Sequence, residues 1–322
     1  MPGYIEGENM IINEYRYTHT SQTDGLPLSV LRIEPNESSN IKGIVQLVHG
    51  MCEHKERYVD FMRFLAEKGY ITVIHDNRGH GESVKSKNDY GYFYEGGYKA
   101  LIEDIHEITI ETKKYVEDEL GIEGLPYILM GHSMGSLAIR CYIKKYDYEL
   151  DRLLVLGCPS NKPEIKYAIK LIQLICLIKG DKSHSKFVDK LVMDNNYSKK
   201  FKSEGPVAWL FKNPEAAKKI LNDPLCKIKF TLSGYVNLLK LTIETYSESG
   251  YVMKNPGLKI KFLSGREDPC AVSKTAFANA MKLLKRQGYK NVSGKMYKGM
   301  RHEILNESEN ARVIKDILEF IK

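Results

Sequence analysis

The stretch LPYILMGHSMGSLAI, residues 125–139, joins a short apolar run, a serine flanked by glycines and the start of a helical pattern. Tyr127–Met130 suits a strand buried on both faces, and the residues from Leu137 onward suit a helix. A G-x-S-x-G sequence between a strand and a helix is typical of a nucleophile elbow, whose tight turn requires the glycines. We therefore predict that Ser133 is a nucleophile; the alternative is a glycine turn with an idle serine.

A serine hydroxyl at neutral pH needs a base within hydrogen-bond reach. Among the nine histidines, His302 stands in a loop between the strand-like run 292–297 and the last helical pattern. Active-site groups collect in loops at the carboxyl ends of parallel strands. We predict that His302 is the base, and the alternative is a surface histidine.

The loop SGREDP, residues 264–269, offers a carboxylate to orient that base. Two acids are adjacent there, and neighbouring side chains in an extended loop point apart, so only one can face His302. We predict Asp268 as this acid and Glu267 as a solvated neighbour or a partner of Arg266. The resulting order Ser, Asp, His along the chain is the one that the α/β-hydrolase topology produces.

A second glycine-containing loop supplies candidate donors for a developing oxyanion. The strand-like run Ile44–Val48 ends in His49 and Gly50, and the glycine lets the backbone turn toward the serine. We predict the backbone N–H groups of Met51 and Met134 as the oxyanion donors. His49 is predicted to be a structural hydrogen-bonding residue rather than a catalyst.

Eight strand-like runs alternate with helical patterns, which predicts an α/β fold with a mostly parallel eight-stranded sheet flanked by helices. The first two runs, about 14–20 and 27–34, predict an antiparallel hairpin at the sheet edge. The alternation stops between about 160 and 235. We therefore predict an α/β-hydrolase core over 1–160 and 236–322, with an inserted helical cap over 161–235.

Bulk composition narrows the class of protein. A chain of 322 residues with 43% hydrophobic and 28% charged residues is expected to be globular rather than disordered. It has no signal-peptide pattern and no apolar run of the roughly 20 residues that a transmembrane segment needs, so the expected location is cytoplasmic. Six scattered cysteines without a C-x-x-C pair indicate free thiols. No His/Cys cluster has metal-ligand spacing, so we expect no metal and no cofactor.

The positive charge is concentrated in the predicted cap. Residues 161–235 hold 15 Lys and no Arg against 7 acidic residues, whereas the whole chain has a net charge of +7. One interpretation is a solvated lysine-rich face. The other is a surface for peripheral contact with anionic lipid or an acidic substrate. Nucleic acid is disfavoured because the segment lacks Arg and a binding motif.

Together these motifs resemble the monoacylglycerol lipase and lysophospholipase group of α/β-hydrolases, the serine aminopeptidase-like hydrolases. The resemblance lies in HGxxEH at 49–54, Arg57 with Tyr58, DxRGHGxS at 76–83, GHSMG at 131–135, GxxD at 265–268 and the His302 loop. It implies the triad Ser133, Asp268 and His302, with Met51 and Met134 as oxyanion donors. It also implies that Gly50, Glu53 and Arg57 bind substrate or support the oxyanion loop.

Two positions depart from that group. Leu305 stands where animal-type monoacylglycerol lipases have a second histidine that helps to hold glycerol, three residues after the base. Met51 replaces a smaller residue common at that oxyanion position and could narrow the alcohol side. The sequence therefore does not predict the head group of the substrate.

The sequence predicts hydrolysis of a small-molecule carboxylic ester through an acyl-enzyme. The almost wholly apolar run Ile165–Ile178 in the predicted cap suggests an acyl-chain tunnel, which favours monoacylglycerol or lysophospholipid-like esters. The enzymatic alternatives are a short-chain or aryl carboxylesterase of feruloyl type, a peptidase, and acyl transfer to another alcohol. The non-enzymatic alternative is a small-molecule-binding protein on a hydrolase scaffold.

Overall fold

The computed structural model describes residues 11–37, 41–193 and 199–322. Residues 1–10, in which the sequence predicts no signal peptide, lie outside the described residues. Its strands are β1 Ile12–Thr20, β2 Pro27–Pro35, β3 Gly43–Val48, β4 Tyr70–His75, β5 Tyr127–His132, β6 Arg152–Leu156, β7 Lys259–Gly265 and β8 Asn291–Tyr297. Its α-helices are α1 Val59–Glu67, α2 Gly97–Asp118, α3 Met134–Tyr146, α4 Ile165–Lys179, α5 Lys186–Asp189, α6 Pro214–Asn222, α7 Leu232–Thr245, α8 Lys274–Arg286 and α9 Ala311–Ile321.

The described strands form one sheet of eight, in the order β1-β2-β4-β3-β5-β6-β7-β8. The pairs β1–β2 and β2–β4 are antiparallel, and the other neighbours are parallel. The predicted hairpin is confirmed: β1 is the edge strand, and Gly25 in the intervening turn has φ +67°. The predicted fold, a mostly parallel eight-stranded sheet flanked by helices, is confirmed as well.

Both faces of the sheet are covered, which explains why the central strands show no polar alternation in the sequence. In β5, Tyr127 and Leu129 pack on the face that carries α2, α3, α7 and α8, whereas Ile128 and Met130 pack on the face that carries α1 and α9. The carboxyl ends of β3, β5, β7 and β8 therefore come together at one edge of a rigid layer.

The connection from β6 to β7 contains α4, α5, α6 and α7, and no strand among its described residues. Helix α6 begins after Asn213, whose side chain accepts from the backbone N–H groups of Glu215 and Ala216, and Pro214 occupies the first turn. The predicted cap boundary between residues 235 and 236 falls inside α7. The division into core and cap stays a prediction, and "the cap" below means residues 161–235.

Candidate active site

Ser133 lies in a strained turn between β5 and α3. Its backbone has φ 52° and ψ −116°, and its N–H donates to the carbonyl of Leu156 at 3.0 Å. A Cβ atom at Gly131 would lie 2.5 Å from the carbonyl oxygen of Gly135, and one at Gly135 would lie 2.1 Å from that of Val48. Only glycine fits at these two positions, because real Cβ atoms do not approach backbone oxygens so closely.

Three side chains predicted to work together form one continuous chain of hydrogen bonds. His302 Nε2 lies 2.8 Å from Ser133 Oγ, and His302 Nδ1 lies 3.0 Å and 3.1 Å from the two carboxylate oxygens of Asp268. An ionised carboxylate can only accept, so Nδ1–H donates to Asp268 and Nε2 is left to accept the serine proton. The imidazole is 1% exposed. This arrangement fits a serine hydroxyl paired with a base and an orienting acid.

The carboxylate of Asp268 is fully occupied. Besides His302 it accepts from the backbone N–H of Cys270 at 2.8 Å and from the hydroxyl of Ser264 at 3.0 Å. Burial alone would raise the pKa of Asp268, but the attraction of His302 and these hydrogen bonds outweigh it, so the pKa lies below its ordinary value. The group is therefore an anion at neutral pH.

Glu267, the neighbouring acid, points away from the imidazole. Its side chain is 34% exposed and pairs with Lys212 at 3.0 Å, rather than with Arg266. The loop thus separates the two adjacent acids as the sequence predicts, and Asp268 is the one that faces His302.

The loop after β3 lies directly against the serine. A Cβ atom on Gly50 would be 3.0 Å from Ser133 Cβ, which places the backbone of this loop beside the hydroxyl. Met51 and Met134 line the same cavity, and Met134 is the first residue of α3. Backbone N–H groups in the first turn of a helix have no intrahelical acceptor. The role of the Met51 and Met134 amides as oxyanion donors stays a prediction.

Glu53 anchors that loop through four contacts. Its carboxylate accepts from the N–H of Gly50 at 3.1 Å and from the hydroxyl of Tyr58 at 2.9 Å, and it pairs with His132 at 2.6 Å and Arg57 at 2.9 Å. Burial would raise the pKa of Glu53, but His132 and Arg57 lower it below its ordinary value. Burial lowers and Glu53 raises the pKa of His132, and the net change is upward. The pair is therefore ionic.

Arg57 connects the loop after β3 to the loop that carries His302. Its guanidinium forms a bidentate pair with Glu303, at 2.6 Å and 3.2 Å, and Glu303 directly follows His302. Glu303 and His132 are not among the residues predicted from the sequence, although both are chain neighbours of predicted triad members. Trp209 was not predicted either, although it is the one tryptophan of the chain; its ring centroid lies 5.4 Å from that of His302.

His49 uses both ring nitrogens within the backbone framework. Its Nε2 accepts from the N–H of Asn77 at 2.9 Å, and its Nδ1 then donates to the carbonyl of Gly50 at 2.8 Å. Burial, with His80 nearby, lowers the pKa of His49 well below its ordinary value. The residue is a neutral structural group, as predicted.

A cavity of about 990 Å³ opens above Ser133. Its wall is mostly apolar, and the cap contributes Ile165, Ala168, Val192 and Leu221 to it. Leu305, at the position of the group's second histidine, instead packs against the hydrophobic cluster under α1 and α9. The cavity therefore has a mostly apolar wall with Ser133 and His302 among its polar lining residues.

Helix α4 has two apolar faces, and only one of them faces the protein. Ile169 and Ile172 are buried, whereas Tyr167, Leu177 and Ile178 are 76%, 84% and 85% exposed. The expectation that the apolar residues of Ile165–Ile178 serve an acyl tunnel is therefore too broad. One face lines the cavity, and the other is turned to solvent beside several lysines.

Two groups of side chains among the described residues hold candidate metal-ligand atoms within 4.8 Å of one another. One is the set Asp268, Cys270 and His302, in which Asp268 and His302 already share hydrogen bonds of 3.0 Å and 3.1 Å. The other is His54, Asp223 and Cys226, in which His54 Nε2 and Asp223 Oδ2 already share a 2.7 Å hydrogen bond. We assign no metal to either group.

The sheet order, the strained serine turn and the hydrogen-bonded Ser–His–Asp chain define the class of α/β-hydrolases. The chain belongs to the serine aminopeptidase S33 family, whose model matches residues 39–309. It is therefore a hydrolase of that family.

Relatives of known name share about a quarter of their residues with this chain. The monoacylglycerol lipase of Mycolicibacterium smegmatis is 23% identical over 285 residues, which are 87% of this chain and 88% of that protein. The phospholipase YtpA of Bacillus subtilis is 24% identical over 273 residues, 84% of this chain and 92% of that one. These matches span most of both chains.

Solved structures show the same fold. A thermostable carboxyl esterase from Bacillus coagulans superposes with a TM-score of 0.81 at 22% identity, covering 96% of this chain and 99% of that chain. A soluble variant of monoglyceride lipase from Saccharomyces cerevisiae gives 0.73 at 15% identity, covering 100% and 98%. Among the described residues, we find no helix that combines the length and the apolar character needed to cross a membrane.

Proposed function

We propose that this protein is a serine hydrolase that cleaves carboxylic esters through an acyl-enzyme on Ser133. The observation that carries the proposal is the continuous chain from Asp268 through His302 to Ser133, at the floor of an apolar cavity of about 990 Å³. A buried imidazole held in one tautomer beside a strained serine has the geometry that proton transfer requires.

In the acylation step, Ser133 Oγ attacks the ester carbonyl while His302 Nε2 takes its proton. The imidazolium that forms is stabilised by Asp268, which stays an anion because its pKa is lowered. His302 then protonates the leaving alcohol. In deacylation the same nitrogen takes a proton from water, which attacks the acyl carbonyl and regenerates the free serine.

The developing oxyanion is assigned to the amides of Met51 and Met134. Two preorganised donors of this kind are worth several kcal/mol of barrier together. The 3.1 Å hydrogen bond from the N–H of Gly50 to Glu53 fixes the loop after β3, which contains Met51. Arg57 links this loop to the loop that carries His302. Gly50, Glu53 and Arg57 are thus proposed as loop support rather than as substrate ligands.

The proposed substrates are esters with a single acyl chain, such as monoacylglycerols or lysophospholipids. The cavity is at the upper end of the roughly 300–1,000 Å³ found for small-molecule sites, and its wall is mostly apolar. Relatives named monoacylglycerol lipase and phospholipase support this choice. A short-chain or aryl esterase would leave most of this volume unfilled.

We further propose that the solvent-facing side of α4 rests on an anionic lipid surface. Its exposed apolar residues include Tyr167, Leu174 and Leu177, and Lys166 and Lys170 flank them on the same helix. Apolar side chains beside lysines are the pattern of helices that lie in a lipid interface. The opposite face of α4 lines the cavity, so a lipid ester could pass from this surface to Ser133.

All six cysteines are free thiols, which supports the proposed cytoplasmic location because free thiols suit a reducing compartment.

Labelling with a fluorophosphonate tests the nucleophile. We expect covalent labelling of the wild type, none of Ser133→Ala, and a fall in turnover of about 10⁴–10⁶-fold in that variant. Ser160→Ala is the matched control, because Ser160 also lines the cavity but donates to the carbonyl of Ala271. Unchanged labelling of Ser133→Ala would overturn the proposal, and a folded wild type that neither labels nor turns over esters would favour a binding protein.

A chain-length series of nitrophenyl esters tests the substrate class. We expect kcat/KM to rise from acetate toward the longer acyl chains, because each methylene buried in the cavity contributes about 0.8 kcal/mol. A collapse of activity beyond butyrate would favour the short-chain esterase, and preference for a feruloyl ester would favour the aryl esterase.

A further inference from the structure

The imidazole of His302 lies against an aromatic side chain that comes from the cap. The ring centroid of Trp209 is 5.4 Å from that of His302, and the two ring planes are inclined by 31°. Both residues line the cavity, and the imidazole is 1% exposed. Centroids at this distance belong to rings in contact, so the indole is part of the surroundings in which the imidazole must work.

The backbone on both sides of Trp209 is bonded to the loop that carries His302. The chain neighbours of Trp209 accept hydrogen bonds from the chain neighbours of His302. These bonds run from Arg301 Nη1 to the carbonyl of Ala208, at 2.6 Å, and from the N–H of Glu303 to the carbonyl of Leu210, at 2.7 Å. The two segments are therefore held in register, with the indole opposite the imidazole.

Further polar contacts extend this attachment beyond the two rings. The buried carboxylate of Glu307 accepts from the N–H of Lys212 at 2.9 Å and from the N–H of Arg301 at 2.8 Å. The side-chain amide of Asn213 donates to the carbonyl of Asn306 at 2.9 Å. This part of the cap and the loop of the base thus form one bonded unit, and such a unit fixes the indole before substrate arrives.

Both nitrogens of the His302 imidazole are used, so further contacts can act only on the rest of its ring. Nδ1–H donates to Asp268, and Nε2 lies 2.8 Å from Ser133 Oγ. The ring of His132 is 4.9 Å away and is tilted by 50° to the imidazole, whereas the indole of Trp209 is tilted by 31°. Trp209 is therefore the neighbouring ring that lies closer to parallel with the imidazole.

The charge of this imidazole changes during the proposed reaction. In the proposed mechanism His302 accepts the serine proton at Nε2 and becomes a cation until it passes that proton to the leaving alcohol. A cation within about 6 Å of the centre of a tryptophan ring is attracted by its π system. The contact with Trp209 therefore becomes more favourable as the proton moves, and only such an interaction accelerates the chemical step.

We propose that Trp209 is a positioning residue for the base: its indole keeps the imidazole of His302 aligned with Ser133 and stabilises the imidazolium that forms in both half-reactions. The inference rests on the proposed acyl-enzyme mechanism. Removal of the indole should lower kcat and kcat/KM together, because the lost interaction is strongest in the transition state. A residue that only packed against the acyl chain would instead change KM, and would do so more for long chains than for short ones.

The experiment measures kcat and KM of the full-length protein on nitrophenyl acetate and nitrophenyl decanoate. We expect Trp209→Leu to lower kcat about tenfold on both esters, and Trp209→Phe, which keeps a weaker aromatic ring, to lower it about threefold. Phe187→Leu is the matched control, since it removes an aromatic ring from α5 in the cap that is 58% exposed and does not line the cavity. It should match the wild type.

The outcomes separate this proposal from the mechanism on which it rests. Equal losses in Trp209→Leu and Trp209→Phe would overturn it, as would a loss confined to KM on the decanoate. An active wild type with Trp209→Leu no different from Phe187→Leu would overturn the role of Trp209 and leave the acyl-enzyme mechanism standing. A wild type that neither reacts with a fluorophosphonate nor turns over esters would overturn both.

A second measurement needs neither turnover nor a change at Trp209. Trp209 is the one tryptophan of the chain, so tryptophan fluorescence reports on this contact alone. His302→Gln should alter the emission of the folded protein, because it replaces the ring that touches the indole. His106→Gln on α2, whose imidazole stacks on Tyr146 at 3.7 Å, is the control and should leave the emission unchanged. Identical emission from His302→Gln and the wild type would contradict the contact.

Discussion

On the sheet side of the cavity, formed by the loops after β3, β5, β7 and β8, the key carboxylates are held by several hydrogen bonds each. Glu53 makes four contacts, and Asp268 accepts from three groups. On the cap side, the cavity wall is formed by apolar residues such as Ile165 and Ala168, on a helix whose other face is exposed. The sheet side of the cavity is therefore specified by directional hydrogen bonds, and the cap side by the volume and apolar area of its side chains.

This difference indicates how the two sides respond to change. Directional networks are sensitive to the loss of one member, because the remaining buried groups are left unpaired. An apolar wall tolerates substitution as long as volume is kept. Chemistry is therefore expected to depend on single atoms of the sheet side, and substrate choice and lipid contact on the summed properties of the cap.

The largest effect is expected at Asp268. The substitution Asp268→Asn keeps the shape but can donate to His302 Nδ1, which favours the wrong tautomer, so turnover should fall about 10⁴-fold. The measurement is kcat on a soluble nitrophenyl ester, with the thermal midpoint recorded in parallel. Glu267→Gln is the matched control, since Glu267 is adjacent but pairs with Lys212. Equal losses in both variants would mean that the carboxylates do not differ in role.

The second effect is on stability and comes from Glu53. Breaking this buried ionic network by Glu53→Gln should lower the free energy of unfolding at pH 7 by about 3 kcal/mol. Glu56→Gln, in the same segment but exposed, should cost less than about 1 kcal/mol. The measurement is urea unfolding by circular dichroism.

The pH dependence of that effect has a defined sign. In the folded protein the pKa of Glu53 lies below its ordinary value of 4.5. Its stabilisation is therefore complete above pH 4.5 and is lost as the pH falls below it. The difference between wild type and Glu53→Gln should shrink when unfolding is repeated under acid conditions. A difference that grows at low pH would contradict the ionic assignment.

A third prediction concerns the outer face of the cap. Replacing Leu177 and Ile178 together by serine should weaken binding to vesicles of anionic phospholipid at least tenfold, because each buried methylene contributes about 0.8 kcal/mol. Turnover of soluble esters should not change, since neither residue lines the cavity. Val252→Ser, which removes an exposed apolar residue outside the cap, is the control. Vesicle flotation measures the binding.

The contribution of lysine charge to lipid binding by α4 can be tested separately from that of the apolar residues. Lys166→Gln with Lys170→Gln should weaken binding to anionic vesicles by about 1 kcal/mol per lysine and leave binding to neutral vesicles unchanged. If neither pair of substitutions alters flotation, the exposed face of α4 does not contact lipid.

The sheet side is also the part that could be predicted from the sequence. The strained turn at Ser133 requires glycine at fixed positions, and the buried strands appear as uninterrupted apolar runs, so local physics leaves a visible pattern. The separation of Asp268 from Glu267 followed from the geometry of an extended loop. These features depend on near neighbours in the chain.

The remaining features of the fold and the site depend on contacts between segments that are far apart in the chain, and no local sequence pattern indicates such contacts. The pairing of Arg57 with Glu303 spans most of the chain. In α4, composition shows that the helix is apolar but not which face is covered, because a helix that is apolar all round gives no preferred direction. The exposed face of α4 was therefore identified only from the structure.

The smallest effect is expected at a contact between the sheet side and the cap side of the cavity. His54 Nε2, in the loop after β3, lies 2.7 Å from Asp223 Oδ2 in the cap, and Asp223 also accepts from the N–H of Leu225 at 2.9 Å. Asp223→Asn keeps an oxygen for that second bond, as asparagine is an equally good N-cap, and replaces the carboxylate that contacts His54 by an amide. A partly exposed pair of this kind is worth at most about 1 kcal/mol, so turnover should fall no more than about fivefold.

The acyl-chain dependence of that loss decides what the contact does. If His54 and Asp223 hold the cap at the proper distance from the serine, Asp223→Asn should impair long-chain esters more than acetate, because only long chains use the apolar wall. Asp223→Ala, which also removes the cap of the turn at Pro224–Cys226, should enlarge the same difference. A loss equal for all chain lengths would instead mean that the contact acts on the sheet side of the cavity, through the loop after β3 that contains His54.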